Sequence, residues 1–322
     1  MDSKVKQSKT IPDEFLPGMV STLYILNDGR IALGGDAYLS IYNMETEKVD
    51  MKINLRSNRI IFMLQLNDNK IFYCTFKSET EGGYYDAYYF NYLIELTGNT
   101  HKDMTSILPS ESKYNLMREY SDKILFAGIS YSIRKDQYNN SNASGPKRIE
   151  KLEKSNENKY QITKSVNLDF IDFIVLNKNL IAALLINRLE FYDVNELKKI
   201  KSSEKINNLY TCVKMAYFSE NIILIGTTKT VEIFDYTNFK SIKSISCIYP
   251  IKKIYVNKNK VFIGESTRSS DNKITEYEMD ETGNYKQIYS LNNPHNYELT
   301  DIVQAKDGKL ITCDPTSIKI WN

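Results

Sequence analysis

Apolar segments alternate with short polar turns along the whole chain. An apolar run, a turn ending in Asn, Asp or Gly, and a second apolar run recur seven times. The copies read LYILNDGRIALGG, FMLQLNDNKIFYC, LMREYSDKILFAG, FIVLNKNLIAALL, KMAYFSENIILIG, KIYVNKNKVFIGE and DIVQAKDGKLITC. Their last turn residues are Gly29, Asn69, Asp122, Asn179, Asn221, Asn259 and Gly308. Because these residue types tolerate the positive φ of tight hairpin turns, each copy predicts two antiparallel strands.

Two further strand-like segments follow the hairpin in most copies. The third is apolar and reads LSIYNM, YYFNYLIEL, RLEFYDV, TVEIFDY, KITEYEM and SIKIWN. The fourth is richer in Lys and Ser and reads EKVDMKI, NKYQITKSV, NFKSIKSIS and NYKQIYSL. Charge is typical of an exposed sheet edge, where it discourages aggregation. Seven units of four antiparallel strands predict an all-β fold, a seven-bladed β-propeller.

The last unit has no fourth strand, because the chain ends at Asn322 after its third. The N-terminal segment SKVKQSKTI has the Lys/Ser character of the other fourth strands, and Pro12 follows it, as suits a strand terminus. We therefore predict that residues 4–11 complete the last blade and close the ring. On this interpretation residues 1–322 form a single propeller domain.

The third-strand endings resemble those of the WD40-repeat family. Trp321-Asn322 stands where that family has Trp-Asp, and Tyr192-Asp193 and Phe234-Asp235 are close variants. The resemblance covers essentially the whole chain and implies a seven-bladed ring with the same closure by the N-terminal strand. A kelch-type propeller would need a Gly-Gly pair in every blade, and only Gly34-Gly35 and Gly82-Gly83 occur.

One family feature is missing from this sequence. The chain has two histidines, His101 and His295, and neither follows a glycine, so the Gly-His pair of the family occurs in no blade. The resemblance then implies that the family's His-Ser/Thr-Trp hydrogen-bond network does not form. We expect the blades to be held by packing alone.

Composition narrows the class of protein. The net charge is +2, too small to favour nucleic acid or an anionic membrane as partner. The four cysteines form no CxxC pair, and each lies within or beside an apolar run, which argues against a zinc site or a disulfide framework. There is no signal-peptide-like segment and no apolar stretch of about 18 residues. The sequence predicts a protein without a membrane span, in the cytoplasm or nucleus.

Catalytic signatures are absent from the sequence. No HExxH, GxSxG, P-loop or GxGxxG motif occurs. Strand-end acids such as Asp36, Asp172 and Asp314 could converge on the channel, as in calcium-dependent propeller hydrolases, although such residues more often cap turns. We predict a protein that is not an enzyme and needs no cofactor. The alternative is a small-molecule hydrolase with a metal in the channel.

Sequence patterns of two propeller subfamilies are missing, and the signal for RNA binding is weak. Phosphoinositide-binding propellers carry Phe-Arg-Arg-Gly, and no Arg-Arg pair occurs here. Propellers that dock on cullin ligase adaptors carry Trp-Asp-x-Arg, and the single tryptophan ends the chain. RNA binding would need a basic stripe, for which residues 134–164 are the only and weak candidate.

Long connections point to one face of the ring. Connections between second and third strands emerge on the same face as those between blades, and three are expanded: 77–87 in blade 2, 134–154 in blade 3 and 265–273 in blade 6. We expect the blade 3 segment to be a polar, mobile loop. These segments are either tolerated insertions, since loops accept length cheaply, or a binding surface.

Aromatic residues recur on the same face, shortly before the first strand of successive blades. They are Tyr114, Phe170, Tyr210, Tyr249 and Tyr297. Exposed aromatics anchor interfaces, yet packing between blades also uses them, and we favour packing for most of the five.

These patterns favour a non-catalytic scaffold or adaptor that binds a protein or peptide through the loop-rich face, as a monomer or as a subunit of a larger complex. The predicted binding residues are Tyr84, Tyr85, Tyr88, Arg134, Lys135, Lys147, Arg148, Arg268, Tyr210, Tyr249 and Tyr297. The arginines and lysines of blade 3 favour an acidic partner.

Overall fold

A computed structural model describes most of the chain. The described residues are 5–55, 58–81, 84–109, 114–129, 133–135, 141–143, 147–176, 179–204, 206, 214–267 and 270–322. For residues 78–81, 84–88, 133–135 and 141–143 the description is of the backbone.

Seven antiparallel sheets form the blades of a propeller, which confirms the predicted fold. In each sheet the strands are named inner, second, third and outer, from the channel to the rim. The inner strands of blades 1 to 7 are Thr22–Ile25, Arg59–Gln65, Leu116–Ser121, Asp172–Leu176, Lys214–Tyr217, Ile251–Asn257 and Asp301–Gln304. The second strands are Ile31–Gly34, Lys70–Glu81, Ile124–Ile129, Leu180–Leu184, Ile222–Gly226, Lys260–Ser266 and Leu310–Asp314.

The third strands of blades 1 to 7 are Tyr38–Asn43, Tyr84–Thr97, Arg148–Lys154, Leu189–Asp193, Thr230–Asp235, Asn272–Met279 and Ser317–Trp321. The outer strands are Lys48–Asn54, Thr100–Asp103, Tyr160–Asn167, Lys199–Ser202, Lys240–Ser246, Tyr285–Asn292 and, in blade 7, Gln7–Thr10. Two short 3₁₀ helices, Asp13–Phe15 and Thr105–Ile107, lie in connections. Within the described ranges, no helix has the length and apolarity needed to cross a membrane.

The N-terminal strand closes the ring, as predicted. Gln7–Thr10 pairs antiparallel with Ser317–Trp321, and Gln7 lies opposite Trp321. Backbone hydrogen bonds extend the pairing on both sides: Lys6 and Asn322 exchange two, and the Ile11 N–H donates to the Ile318 carbonyl at 3.0 Å. The paired strand is shorter than the predicted 4–11, and Ile11 beyond it is fully buried.

The core consists of apolar layers between neighbouring blades. One such layer joins Phe191 of blade 4 to Ile225 and Phe234 of blade 5. Glycines in the second strands let the next inner strand approach closely. A Cβ at Gly264 would lie 2.6 Å from Ile302 of blade 7. A larger residue there would therefore push two blades apart.

Turn chemistry agrees with the sequence in part. Positive φ occurs, as predicted, at Gly29, Asn69, Asn179 and Gly308. In blade 6 the positive φ lies at Lys258 and not at Asn259, and neither Asp122 nor Asn221 adopts one. The predicted hairpins form in these three blades too, because a hairpin turn needs φ > 0 only at certain positions of particular turn types.

Two of the predicted loops consist largely of strands. In blade 2 the second and third strands extend to Glu81 and from Tyr84, so segment 77–87 is mainly a hairpin. In blade 3 segment 134–154 contains the third strand Arg148–Lys154 and parts of two added strands, Ile133–Lys135 and Ser141–Ala143. The prediction of a mobile loop was wrong for these strands, because backbone pairing orders polar sequence too.

The added strands of blade 3 join the sheet of blade 2. Ile133–Lys135 pairs with the N-terminal part of the long third strand of blade 2, with Arg134 opposite Asp86 and Lys135 opposite Tyr85. The outer strand of blade 2 pairs with the C-terminal part of the same strand. Blade 2 is thus a six-stranded sheet that includes two strands from its neighbour. In blade 6 the predicted nine-residue expansion shortens to the connection between Ser266 and Asn272.

Candidate functional site

Connections of two kinds emerge on one face of the ring, here called the connection face. They are the links from second to third strands and those from the outer strand of one blade to the inner strand of the next. The inner strands therefore begin at this face, and their first residues surround the mouth of the central channel. The turns from inner to second strands and from third to outer strands lie on the opposite face.

Among the described residues, four large apolar side chains in connections stand exposed on the connection face. Met19, Ile248 and Tyr297 lie in blade-to-blade connections, and Ile186 lies in the second-to-third turn of blade 4. Their exposed fractions are 50%, 58%, 55% and 55% for Met19, Ile248, Tyr297 and Ile186. We call these four residues the apolar rim. Exposed aromatic and apolar side chains that are held in place are the usual anchors of protein interfaces.

Carboxylates hold the backbone beneath three rim residues. The Met19 N–H donates to Asp36 Oδ1 at 2.8 Å, the Ile248 N–H to Glu265 Oε2 at 2.6 Å, and the Tyr297 N–H to Asp314 Oδ2 at 3.3 Å. Asp36 and Asp314 are two of the strand-end acids noted in the sequence, and both serve connections and turns as expected. The backbone at these three rim residues is therefore fixed before any partner arrives.

A hydrogen-bond network in blade 7 supports Asp314. His295 Nε2 lies 2.7 Å from Thr312 Oγ1, and the Trp321 Nε1–H donates to the same oxygen at 2.8 Å. His295 Nδ1 lies 3.2 Å from the Ser317 hydroxyl. The expectation that no His-Ser/Thr-Trp network forms is wrong for this blade. A histidine without the preceding glycine reaches the position from its own connection.

The electrostatics of this network follow from its burial. Burial lowers the pKa of His295, although the Asp314 carboxylate acts in the opposite direction. Burial alone would raise the pKa of Asp314, but hydrogen bonds from His295 and from the Thr316 N–H hold it well below its usual range. His295 is accordingly neutral at pH 7, where an imidazole can donate through one nitrogen and accept through the other.

The five recurring aromatics divide as follows. Tyr114 and Phe170 are fully buried, which confirms packing for these two. Tyr249 is half-buried, and its N–H donates to Glu265 at 3.0 Å. Tyr297 is exposed on the rim, and Tyr210 lies outside the described residues.

The predicted basic residues are partly neutralised within the chain. Lys147 contacts Asp169 through an ion pair, and Arg148 Nε lies 2.5 Å from Glu150 Oε1. Arg134 and Lys135 belong to the added strand beside blade 2, and Arg268 lies outside the described residues. The Lys147 and Arg148 pairs reduce the positive charge that these two residues offer to an acidic partner.

The three tyrosines Tyr84, Tyr85 and Tyr88 lie in the N-terminal part of the long third strand of blade 2. Tyr85 is the register partner of Thr80 on one side and of Lys135 on the other. The structure thus brings the predicted elements of blades 2 and 3 together in one sheet. Sequence reasoning did not identify Met19, Ile186 and Ile248 as exposed residues of this face. The feature that could have indicated them is an apolar residue inside a polar connection.

Two carboxylates at the channel mouth are engaged within the protein. Asp172 Oδ2 accepts the Met215 N–H at 2.9 Å, and Asp172 Oδ1 lies 3.2 Å from the Arg118 guanidinium. Asp301 Oδ2 accepts the Leu23 N–H at 2.9 Å, and its Oδ1 lies 2.6 Å from Lys253 Nζ. Each acid links its own blade to the next inner strand. Asp36 and Asp314 do not join Asp172 at the channel.

Other chemistry is sparse in the described part of the chain. Among those residues, no cluster of three or more His, Cys, Asp or Glu is placed to hold a metal ion. Cys74, Cys247 and Cys313 are free thiols, and burial raises the pKa of each. An open groove of about 930 Å³ lies on the opposite face between blades 5 and 6, lined among others by Tyr217, Lys258 and Glu281.

Solved structures with the same fold include a chain of a multiprotein complex, a lyase and a WD40 propeller domain. A chain of a mitotic checkpoint complex covers 100% of this chain and 94% of its own, at 11% identity and a TM-score of 0.64. A streptogramin B lyase structure covers 99% of this chain and 97% of its own, at 10% identity and a TM-score of 0.65. The WD40 propeller domain of Doa1 covers 99% of this chain and 97% of its own, at 9% identity and a TM-score of 0.64.

These similarities establish a WD40-like seven-bladed propeller fold. The His295–Thr312–Trp321 network of blade 7 agrees with it. No protein-family model matches the sequence. No curated protein matches it at a significant level.

Proposed function

We propose that this chain is a non-catalytic scaffold that binds a protein or peptide through the connection face. The observation that carries the proposal is the apolar rim, whose members lie on one face around the channel mouth. Two WD40-like propellers with a similar fold, the checkpoint-complex chain and the Doa1 domain, are consistent with an interaction role.

Preorganisation supports the choice of face. Binding costs less when interface side chains are fixed beforehand, because less conformational entropy is lost on association. Asp36, Glu265 and Asp314 fix the connections that carry Met19, Ile248 and Tyr297. The opposite-face groove contains Tyr217, Phe218 and Tyr285, but most of its lining residues are charged or polar.

The composite sheet of blade 2 extends the proposed surface. Its long hairpin and the added strands of blade 3 run beyond the ordinary blade on the side of the connection face. Tyr84, Tyr85, Tyr88, Arg134 and Lys135 lie in this part of the sheet. A partner bound across the apolar rim would also contact this sheet.

Affinity capture from the native cell tests the proposal. We expect proteins retained by the unchanged chain to be lost with Ile248→Asp, which puts a charge into the rim, and to be kept with Ile288→Asp on the outer strand of blade 6. Both isoleucines are exposed, at 58% and 42%. Equal retention by the two variants would refute the proposed face.

A small-molecule hydrolase with a channel metal is the alternative function. Such an enzyme needs carboxylates free to bind the metal, and Asp172 and Asp301 each accept several hydrogen bonds or ion pairs within the protein. Elemental analysis of the purified protein decides between the two functions. Stoichiometric calcium or zinc would favour the enzyme.

A further inference from the structure

Charged residues recur at one level of the channel mouth. Two lysines share a register position: Lys214 of blade 5 pairs with Gly226 of its second strand, and Lys253 of blade 6 pairs with Gly264. The corresponding residue of blade 1 is Thr22, which pairs with Gly34. Asp172, Asp301 and Arg59 stand at or near the start of the other inner strands. Blades 4, 5, 6 and 7 therefore each place one charge at this level, and Arg59 of blade 2 lies nearer the connection face, where it pairs with Phe76.

The two acids of this ring are hidden from the channel. The side chains of Asp172 and Asp301 are each 3% exposed. Their oxygens accept backbone N–H groups of Phe173, Met215, Ile302 and Leu23. Each acid is thus committed to its own hydrogen-bond donors and one cation, and Asp172 in addition attracts the charge of Lys214.

The cations of the ring face water instead. Lys253 and Arg118 compensate the two acids while keeping exposed fractions of 29% and 25%. Lys214 is exposed, and within the described residues it has no hydrogen-bond or ion-pair partner. Arg59 is half-buried and likewise has none there. After the two ion pairs are formed, two positive charges remain without a partner at the mouth.

The surroundings of Lys214 disfavour its positive charge. Protein surrounds the channel on all sides, which lowers the pKa of Lys214, and Lys253 and Arg118 add repulsion. Asp172 and Asp301 act in the opposite direction. An anion in the mouth would relieve the repulsion among the three cations.

We infer that the channel mouth is an oxyanion-binding site, with Lys214 as principal ligand and Arg59 contributing charge. Its ligand is a phosphate or carboxylate group, because such oxygens accept charge-assisted hydrogen bonds from ammonium and guanidinium groups. The group can come from a small free anion or from an acidic side chain of a bound peptide. The site does not depend on the scaffold proposal, since a free anion can occupy it without a protein partner.

Thermal unfolding and calorimetry of the full chain test the site, with inorganic phosphate and citrate as probes and chloride at equal ionic strength as reference. We expect both probes to stabilise the protein, and Lys214→Met to weaken their binding at least tenfold. Lys240→Met is the matched control, because Lys240 is exposed in the outer strand of the same blade. If Lys214→Met does not fold, Arg59→Gln serves, with a smaller expected loss.

A second arm separates the two sources of the anion. Fluorescence anisotropy of a labelled hexaglutamate peptide, competed by citrate, reports whether a peptide carboxylate enters the site. Peptide binding that depends on Lys214 supports a partner-borne group, and binding of the small anions alone supports a free ligand. Absence of any effect beyond chloride, or equal effects in Lys214→Met and Lys240→Met, would overturn the inference.

Discussion

His295 and Thr312 share a hydrogen bond of 2.7 Å that ties the connection before blade 7 to the second strand of that blade. Trp321 donates to the same threonine oxygen from the third strand. Three elements of the closing blade thus meet at one hydroxyl. The same blade receives the N-terminal strand, so the network stabilises the site of ring closure.

Removal of this hydroxyl should be costly. We predict that Thr312→Val destabilises the protein by about 2–4 kcal/mol, because two buried nitrogen groups lose their partner. Urea unfolding followed by circular dichroism measures the difference.

Thr75 provides a matched control for this substitution. It lies in the second strand of blade 2, where it pairs with Ile60, two residues beyond Tyr73, which occupies the register position of Thr312. It is fully buried, and its hydroxyl has no hydrogen-bond partner. Thr75→Val should therefore be neutral or stabilising. Equal losses for the two substitutions would contradict the role of the network.

The same network predicts a pH dependence of stability. The pKa of His295 is lower in the folded protein than the usual value of about 6.5, so the unfolded chain binds more protons between these two pKa values. Stability should therefore fall as pH drops below about 6.5. We expect the slope of unfolding free energy against pH from 7 to 5 to be smaller in His295→Gln than in the unchanged protein. Parallel slopes would show that another group governs this range.

Ring closure predicts a sharp effect of N-terminal truncation. Deleting residues 1–12 removes the paired strand and the fully buried Ile11, whose burial alone contributes about 2 kcal/mol. It also exposes the edge of the last third strand, which favours aggregation. Deleting residues 1–4 keeps the pairing from Lys6 onward and serves as control. Thermal unfolding and light scattering that do not distinguish the two truncations would refute the closure.

Asp172 should act as a link between blades 4 and 5. We predict that Asp172→Ala costs about 3–5 kcal/mol, because Arg118 loses its partner and the Met215 N–H loses its acceptor. Asp169→Ala is the control, since that side chain is 65% exposed and its pair with Lys147 is at the surface. Denaturant unfolding should separate the two variants clearly. A loss below about 1 kcal/mol for Asp172→Ala would mean that the link is dispensable.

The repeat was predictable from the sequence because a strand period and a turn composition recur locally. The closing strand was predictable because one blade lacked an outer strand. The His295 network was missed because the search looked for a Gly-His pair, whereas the position of a side chain in space decides the bond. The composite sheet of blades 2 and 3 was missed because the pairing of Lys135 with Tyr85 is a long-range contact.

The candidate site was predictable only in outline. The face followed from the topology, and Tyr297 was identified as aromatic. Its exposure, and the burial of Tyr114 at a similar place in its own connection, depend on how neighbouring blades pack. Ile248 and Ile186 were not identified from the sequence, because an apolar side chain in a connection can point inward or outward.

One measurement tests the proposed binding face most directly: the affinity of a purified partner for two matched tyrosine variants. Tyr297 lies on the connection face and is 55% exposed, whereas Tyr285 lies toward the opposite face and is 38% exposed. We predict that Tyr297→Ala raises Kd at least about 30-fold, the effect of a hot spot worth 2 kcal/mol, while Tyr285→Ala leaves Kd within about twofold. Unchanged affinity for Tyr297→Ala, with loss for Tyr285→Ala, would place the partner on the opposite face and contradict the account.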